Sequence, residues 1–301
     1  MSEGEGRRCG YVALVGAPNA GKSTLLNQLI GAKVSIVSPK VQTTRSRLLG
    51  IAIEGTAQLV FVDTPGIFAP KRRLERAMVA AAWAGAADAD LVVVLIDAKR
   101  GIDEDSRRIV DGLKSAGRRA VLALNKVDLV TPPQLLPLTA TLDKEGIFDA
   151  VFMVSALNGD GVADLKRHLA QAVPPGPWLF PEDQLTDLPQ RLIAAEITRE
   201  QVFLQLHQEL PYATFVETDE WQEREDGSVR IAQTIHVMRD SQKAIVLGKG
   251  GRQIKEIGAR ARTELERTLG RRVHLFLFVR VTEDWTEDRG RYRDMGLEFE
   301  S

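Results

Sequence analysis

The stretch Gly16-Ala17-Pro18-Asn19-Ala20-Gly21-Lys22-Ser23-Thr24 directly follows the apolar run Tyr11-Val12-Ala13-Leu14-Val15. It matches the pattern G-x-x-x-x-G-K-[ST], and the flanking sequence predicts a buried strand before it and a helix opening after Gly21. That context constrains the fold more than any other feature of the chain. Glycines let a backbone close around phosphate oxygens, and the free N–H groups of a helix N-terminus supply positive potential there. In such a cradle Lys22 reaches the β- and γ-phosphates of a nucleotide, and the Ser23 hydroxyl faces Mg²⁺.

The next apolar runs, Ala57–Asp63, Leu91–Asp97, Ala120–Asn125 and Ala150–Ser155, read with Tyr11–Gly16 as buried strands. Near-continuous apolar runs suit a parallel sheet covered on both faces. Helical patterns follow Gly21, Asp103, Pro132 and Asp160, so the first part of the chain reads as a doubly wound α/β domain. A turn at Glu54-Gly55 places one antiparallel hairpin at the sheet edge.

Two of these strands end in chemistry. Asp63-Thr64-Pro65-Gly66 puts a carboxylate where it can hold Mg²⁺ through water, and a glycine N–H where it can meet a γ-phosphate. Asn125-Lys126-Val127-Asp128 supplies a second carboxylate, Asp128, able to accept from both guanine N1–H and the 2-amino group. Adenine lacks those donors and would leave the carboxylate unpaired, so Asp128 argues for GTP over ATP. Ser155-Ala156-Leu157 completes the base pocket through the Ala156 backbone.

These four elements, in this order and spacing, resemble the GTP-binding domain of the Ras-like superfamily, and more closely its translation-factor-related bacterial branch. The resemblance implies GTP, GDP and Mg²⁺ as ligands. It extends the nucleotide contacts over the nine residues from Gly16, over Asp63 to Ile67, and over the Asn125 and Ser155 motifs. It also places a switch in the segment after Ser38, whose threonine joins Ser23 and Asp63 on the metal only when a γ-phosphate is present. Thr44 is taken as that residue, with Thr43 as the alternative. One departure stands out. Where Ras-type enzymes carry a water-orienting glutamine, this chain has Ile67 and Phe68, so unaided hydrolysis is expected to be slow and no catalytic side chain is assigned.

Five of the thirteen prolines fall between Pro174 and Pro189, which reads as a stiff extended linker. The expected division is a GTP-binding domain over 1–173, a linker over 174–190 and a second domain over 191–301. The second domain reads as helix (Arg191–Glu209), strand (Ala213–Trp221), strand (Val229–Val237), a helix-turn-helix around Gly248, then strand (Val273–Val281). Ile254, Ile257, Ala261, Leu265 and Leu269 recur at helical spacing and should face the sheet. The glutamates and aspartates at the C-terminus read as a solvated tail.

Gly248-Lys249-Gly250-Gly251 is a G-x-x-G loop between two helices, able to clamp a sugar-phosphate backbone while an adjacent groove reads single-stranded bases. With this element order the domain resembles a prokaryotic-type (type II) KH domain of the α+β class. From Arg239 to Arg272 ten basic residues stand against four acidic ones, in a chain whose formal net charge is −1. That local excess suits phosphate. The candidate RNA contacts are Lys243, Gly248, Lys249, Gly250, Gly251, Arg252 and Lys255. His236 and His274 read as packing residues, as do Trp285 and Tyr292, which have base stacking as an alternative.

A Ras-like domain, a proline-rich linker and one C-terminal KH domain together resemble the Era GTPase family, over about Gly10 to Gly296. The resemblance implies binding near the 3′ end of 16S-type rRNA and a role in maturation of the small ribosomal subunit. It further implies a monomer in the cytoplasm, with peripheral contact at the cytoplasmic face of the cell membrane. Leu297 stands where that family often has an aromatic residue, so no role is carried to the tail.

Composition agrees. Cys9 is the single cysteine, which rules out an intramolecular disulfide and argues against a Cys/His zinc site. No apolar run approaches the ~20 residues of a membrane span, and no secretory signal is expected at the start. A small-molecule phosphotransferase would share the phosphate loop but has no use for Asp128 or the KH-like domain. A relic nucleotide site would not keep Lys22, Ser23, Asp63 and Asp128 together.

Overall fold

The computed structural model describes residues 6–40, 43–45, 47–206, 210–283, 285, 288–295 and 297–299. Their contacts form two units, one of Met1–Ser35, Thr44–Asp187 and Tyr292–Ser301, the other of Ile36–Thr43 and Leu188–Arg291. Val41, Gln42, Ser46, Glu209 and Gly296, which the sequence reading touched, lie outside the described residues.

In the first unit six strands run in the order β2-β3-β1-β4-β5-β6. They are β1 (Arg8–Gly16), β2 (Leu48–Glu54), β3 (Ala57–Asp63), β4 (Leu91–Asp97), β5 (Ala120–Asn125) and β6 (Phe148–Val154). Only β2 is antiparallel to its neighbour, paired with β3 across the Gly55 turn, as the sequence predicted. Every residue of β3, β5 and most of β1 and β4 is buried, which is why these runs are continuously apolar.

Helices cover both faces. Ala13, Val15, Val92, Val94, Ile96, Leu122 and Leu124 pack on one side with helix α2 (Arg73–Asp88) and helix α3 (Glu104–Ser115). The opposite face meets α1 (Lys22–Ile30) and α5 (Val162–Ala172), while α4 (Pro132–Asp143) lies beside β6. The sequence reading did not include α2. Its sequence, RLERAMVAAAWAGAAD, is alanine-rich around the whole helix, so burial of Ala77, Met78, Ala82, Gly85 and Ala86 leaves little hydrophobic contrast to read.

The proline-rich segment is extended and lies along the sheet edge. Ile51 donates its N–H to the Leu185 carbonyl at 2.8 Å, and Leu49 donates to Asp187 at 3.0 Å. The fully buried Gln58 side chain accepts from the N–H groups of Leu179 and Phe180 and donates to the Phe180 carbonyl. The exposed edge of β2 is thereby covered, a common way of blocking edge-to-edge association.

In the second unit β7 (Phe215–Glu223), β8 (Val229–Val237) and β9 (Val273–Val281) form a sheet in that order, antiparallel then parallel. Helices α6 (Gln190–Gln205), α7 (Asp240–Leu247) and α8 (Arg252–Leu269) complete the order α-β-β-α-α-β. Ile257, Ala261 and Leu265 of α8 are fully buried, while Ile254 and Leu269 are half-buried at its ends. Helix α6 stops short of the expected Glu209 because Leu206 turns to extended backbone and enters the core. The first strand starts later than expected because Pro211–Ala213 form a tight 3-10 turn closed by the Thr214 hydroxyl on the Pro211 carbonyl.

The solvated-tail expectation holds for the described acidic side chains but does not extend to the whole segment. Asp288 and Glu298 are exposed, but the segment also forms a short helix, α9 (Arg289–Asp294), and buries Trp285, Tyr292, Met295 and Leu297. The Trp285 indole N–H donates to the Ala213 carbonyl at 3.0 Å, and the Tyr292 ring meets Phe299 edge-on at 4.9 Å. Both aromatics pack in the interior. His236 is buried between Thr282 and Glu217.

Asp103 caps α3, its carboxylate accepting from the Ser106 N–H at 2.8 Å. Burial opposes its charge, but Ser106 and Arg100 outweigh that and hold the carboxyl below its ordinary value. A depressed folded value means the cap contributes above the unfolded pKa of ~3.9 and is lost as pH falls through the lower folded value. Asp103→Ala should therefore cost about 1 kcal/mol at pH 7 by urea denaturation, with the gap to wild type narrowing on acidification.

Candidate nucleotide-binding site

The parallel register brings the loops together. Gly16 pairs with Leu95, Leu14 with Asp63, and Asn125 with both Asp97 and Val154, so all four motif loops leave the same edge of the sheet. Ligands of open α/β sheets bind outside that carboxyl edge.

The loop from Gly16 to Gly21 has no room for side chains where it turns. A Cβ on Gly16 would lie 2.7 Å from the Leu95 carbonyl, and one on Gly21, at φ +98°, would lie 2.2 Å from the Asn125 amide nitrogen. Asn125 is the brace. Its amide donates to the Ala20 carbonyl at 2.8 Å, and its oxygen accepts from the Ala156 N–H at 2.9 Å. Lys126 adds a second brace, donating to the Asn19 carbonyl and to Asp97, each at 2.7 Å. Asn125 thus ties the phosphate loop to the loop carrying Ser155 and Ala156, both buried, while Lys126 ties it to Asp97. Asp128 lies exposed on the 3-10 turn Val127–Leu129, and Leu157 is likewise exposed.

Inside the loop Lys22 is buried and donates to the Gly16 and Ala17 carbonyls at 3.0 and 3.1 Å. Burial pulls its ammonium down to about 8, against the attraction of Asp63. Asp63 is fully buried at the end of β3, and burial pushes its carboxyl up against the pull of Lys22 and three hydroxyls. Ser23 and Ser35 donate to its Oδ2 at 2.9 Å each, and Thr44 reaches the same oxygen at 3.4 Å. Ser23 and Thr44 are themselves 2.9 Å apart. Thr43 faces elsewhere, its hydroxyl bonded to Ser38 and the Lys40 carbonyl. The other carboxylate oxygen, Asp63 Oδ1, is buried without a hydrogen-bond partner.

Thr24 is half-buried on α1, and Thr64 is buried with its hydroxyl on the Leu14 carbonyl at 2.8 Å. Pro65 is buried, and a Cβ on Gly66 would lie 3.0 Å from Pro18, so these two loops touch. Ile67 is fully buried in the sheet core and donates its N–H to the Gly16 carbonyl at 3.1 Å. Its side chain is a core anchor.

The sequence reading omitted Ser35 and Asn27. Asn27 accepts from the Val34 and Ser35 N–H groups and donates to the Ser35 carbonyl, which aims Ser35 at Asp63. Neither residue belongs to a spaced motif, so no sequence signal marks them.

In the second unit α7 passes to α8 through Lys249–Gly251. Gly248, Gly250 and Gly251 all have positive φ. Lys249, Gly250, Arg252 and Lys255 are exposed. Lys255 lines a groove with Ile254, Gly258, Arg262, Leu275 and Phe276, between α8 and β9. Phe276 is 44% exposed there, with the Arg230 guanidinium 4.9 Å over its ring. Lys243 lines a different hollow, with Asp219, Asp240, Phe278 and Arg280. Phe276 shares its face of β9 with His274, Phe278 and Arg280, whereas the other face is wholly aliphatic, so alternation along the strand marks the Phe276 face as the outer one.

A phosphate loop braced by an N-K-x-D motif, with a carboxylate and two hydroxyls converging beside it, defines a P-loop GTPase, here joined to a KH fold. Residues 11–126 match the family described as 50S ribosome-binding GTPase, and residues 209–286 match the KH domain family. GTPase Era of Bradyrhizobium sp. strain ORS 278 is 60% identical over 97% of this chain and 95% of its own length. GTPase Era of Brucella suis biovar 1 is 59% identical over 97% of this chain and 94% of its own. A crystal structure of Era in complex with MgGDPNP and nucleotides 1506–1542 of 16S ribosomal RNA superposes with TM-score 0.91 at 40% identity, covering 96% of this chain and 99% of that one. An Aquifex aeolicus Era variant bound to GDP and AlF4⁻ matches to the same extent, with TM-score 0.91. The chain belongs to the Era GTPase family and hydrolyses GTP.

Asn125→Ala removes both hydrogen bonds of that side chain and strands the buried Ala20 carbonyl and Ala156 N–H. The expected result is a loss of about 2 kcal/mol in urea unfolding and a fall in affinity for GDP and GTP alike.

Proposed function

We propose that this GTPase is an RNA-binding checkpoint in assembly of the small ribosomal subunit. The convergence of Ser23, Thr44 and Asp63, in one chain with a basic G-x-x-G loop, carries that reading. In it residues 1–173 bind GTP, 174–190 link, and 191–301 bind RNA. The RNA is the 3′ region of 16S-type rRNA, the class held by the Era structure described above. The same reading includes a monomer in the cytoplasm, with peripheral contact at the membrane; among the described residues no helix is long and apolar enough to cross one.

The nucleotide would lie along the braced edge. Backbone N–H groups from Gly16 to Thr24 receive the phosphates, and Lys22 leaves its two loop carbonyls for the β- and γ-oxygens. Asp128 accepts from the guanine edge, with the Ala156 backbone beside it. A site made only of oxygens, one of them the partnerless Asp63 Oδ1, fits a hard divalent cation, and Ser23, Thr44 and Asp63 would hold Mg²⁺. Bound with the triphosphate, Mg²⁺ neutralises charge on the β- and γ-oxygens. Thr44 and the Gly66 N–H are the groups that sense the γ-phosphate, and both relax when it leaves. Ile67 is held in the core and offers water no hydrogen bond. Turnover therefore depends on how backbone and switch residues are arranged.

On the RNA side, Lys249, Arg252 and Lys255 meet phosphates while the groove beside Phe276 takes bases. Thermodynamic linkage then requires nucleotide state to change RNA affinity, and RNA to change GTP affinity by the same factor.

The test is GTP turnover by the purified protein, with ATP as control, with and without an RNA carrying the 3′ end of small-subunit rRNA. Turnover specific to GTP and raised by that RNA, but not by a scrambled one, is expected. Equal RNA affinity with GDPNP and with GDP would overturn the switch. Lys249→Ala should weaken RNA binding across sequences and reduce the salt slope of log K by about 1, leaving GDP affinity unchanged.

A further inference from the structure

Every carbonyl of the phosphate loop from Gly16 to Ala20 accepts a hydrogen bond from a side chain. Lys22 serves those of Gly16 and Ala17, Lys126 that of Asn19 at 2.7 Å, and Asn125 that of Ala20 at 2.8 Å. The Pro18 carbonyl accepts from Nη1 of Arg100 at 3.3 Å. Arg100 stands on the turn between β4 and α3 and belongs to none of the spaced motifs.

Asp97, buried at the end of β4, builds this support. Its Oδ1 accepts from the N–H groups of Lys99 and Arg100 at 3.0 and 3.3 Å, and its Oδ2 accepts from Lys126 at 2.7 Å. One carboxylate thus places two cations on successive carbonyls, Arg100 on Pro18 and Lys126 on Asn19. Asp103 holds the guanidinium from the other side, its Oδ2 2.7 Å from Nη2 of Arg100. The Arg100 side chain is 49% exposed, and an ion pair so open to water contributes little to stability. Its effect is local to the loop.

Asn19 has a φ of +62°, a left-handed conformation that is uncommon outside glycine and persists where the surroundings hold it. A trans peptide is planar, with carbonyl and N–H pointing opposite ways, so holding the Pro18 carbonyl sets the direction of the Asn19 N–H. Pro18 brings no N–H of its own to the cradle. A Cβ on Gly66 would lie 3.0 Å from Pro18, which puts this peptide at the end of the loop beside Gly66.

We propose that Arg100 is a positioning residue for GTP hydrolysis, holding the Pro18–Asn19 peptide so that the Asn19 N–H faces the γ-phosphate end of the cradle. The inference rests on the sensing of the γ-phosphate by Gly66 in the proposed function and adds a residue to that site. When a nucleotide draws Lys22 away from the Gly16 and Ala17 carbonyls, Arg100, Lys126 and Asn125 are the side chains that keep the loop in shape. A diphosphate has no group at the Gly66 end, so the loss of Arg100 falls mainly on the triphosphate.

The experiment measures affinity of the full-length protein for fluorescent GDP and GDPNP with Mg²⁺, alongside kcat and KM for GTP and urea unfolding. Arg100→Met is expected to lower GDPNP affinity and kcat each by about fivefold, the worth of one hydrogen bond from a partly exposed charged donor, while GDP affinity stays within about twofold. The urea midpoint should match that of wild type. Arg100→Lys, which keeps a cationic donor, should recover part of the loss. Equal losses for GDP and GDPNP would show a merely structural role and overturn the proposal, as would a kcat and a GDPNP affinity equal to those of wild type. Failure of the wild-type protein to bind either nucleotide would instead overturn the nucleotide-site reading on which the inference stands, and it shows before any variant is made.

Discussion

The parallel register of β1, β3, β4, β5 and β6 is the constraint on which the site depends. It aligns Gly16 with Leu95, Asp97 with Asn125 and Asn125 with Val154, so loops distant in sequence leave the sheet side by side. The register itself follows from burial on both faces. A slip of one residue would turn Leu122 and Leu124 from the α2–α3 side to the other face and break both cores. Packing energy spread over the whole domain therefore fixes the positions of a few polar groups at one edge.

Those polar groups are held at a cost. Lys22 and Asp63 are both buried, and burial moves each toward its neutral form. Three hydroxyls crowd one oxygen of Asp63 while the other has no partner. An apolar substitution would suit a stability criterion better, since half-satisfied buried charge rarely stabilises a fold. The arrangement gains its reason from a polyanion with a hard cation, which would use the Lys22 donors and the second Asp63 oxygen together.

Much of this was legible because parallel strands and phosphate loops leave strong local marks. The apolar runs of β1, β3, β4 and β5 and the G-x-x-x-x-G-K-S pattern need no tertiary information to recognise. What was not legible depends on contacts across long separations. Helix α2 buries alanines and a glycine, so composition hides which face is inside. Ser35 acquires its role only once Asn27, on another element, bends the loop toward Asp63. In the tail the packing of Trp285 and Tyr292 was legible, whereas the burial of Met295 and Leu297 among charged neighbours was not. Phe276 was legible in principle, since His274 and Arg280 mark its face of β9 as the outer one while the other face is aliphatic.

The residue after Gly66 shows how a local departure shapes the whole mechanism. A glutamine at that place has to project into the site to align water. Ile67 instead points into the sheet core, and its N–H is spent on the Gly16 carbonyl. The Ile67 backbone is thus tied to the phosphate loop. Freedom to change the site then falls to the residues around Thr44, whose hydroxyl already reaches Ser23 and Asp63. With no side chain after Gly66 to align water, the arrangement suits the slow turnover expected under the proposed function. Slow hydrolysis under outside control is what a checkpoint needs, and a fast self-sufficient active site would defeat it.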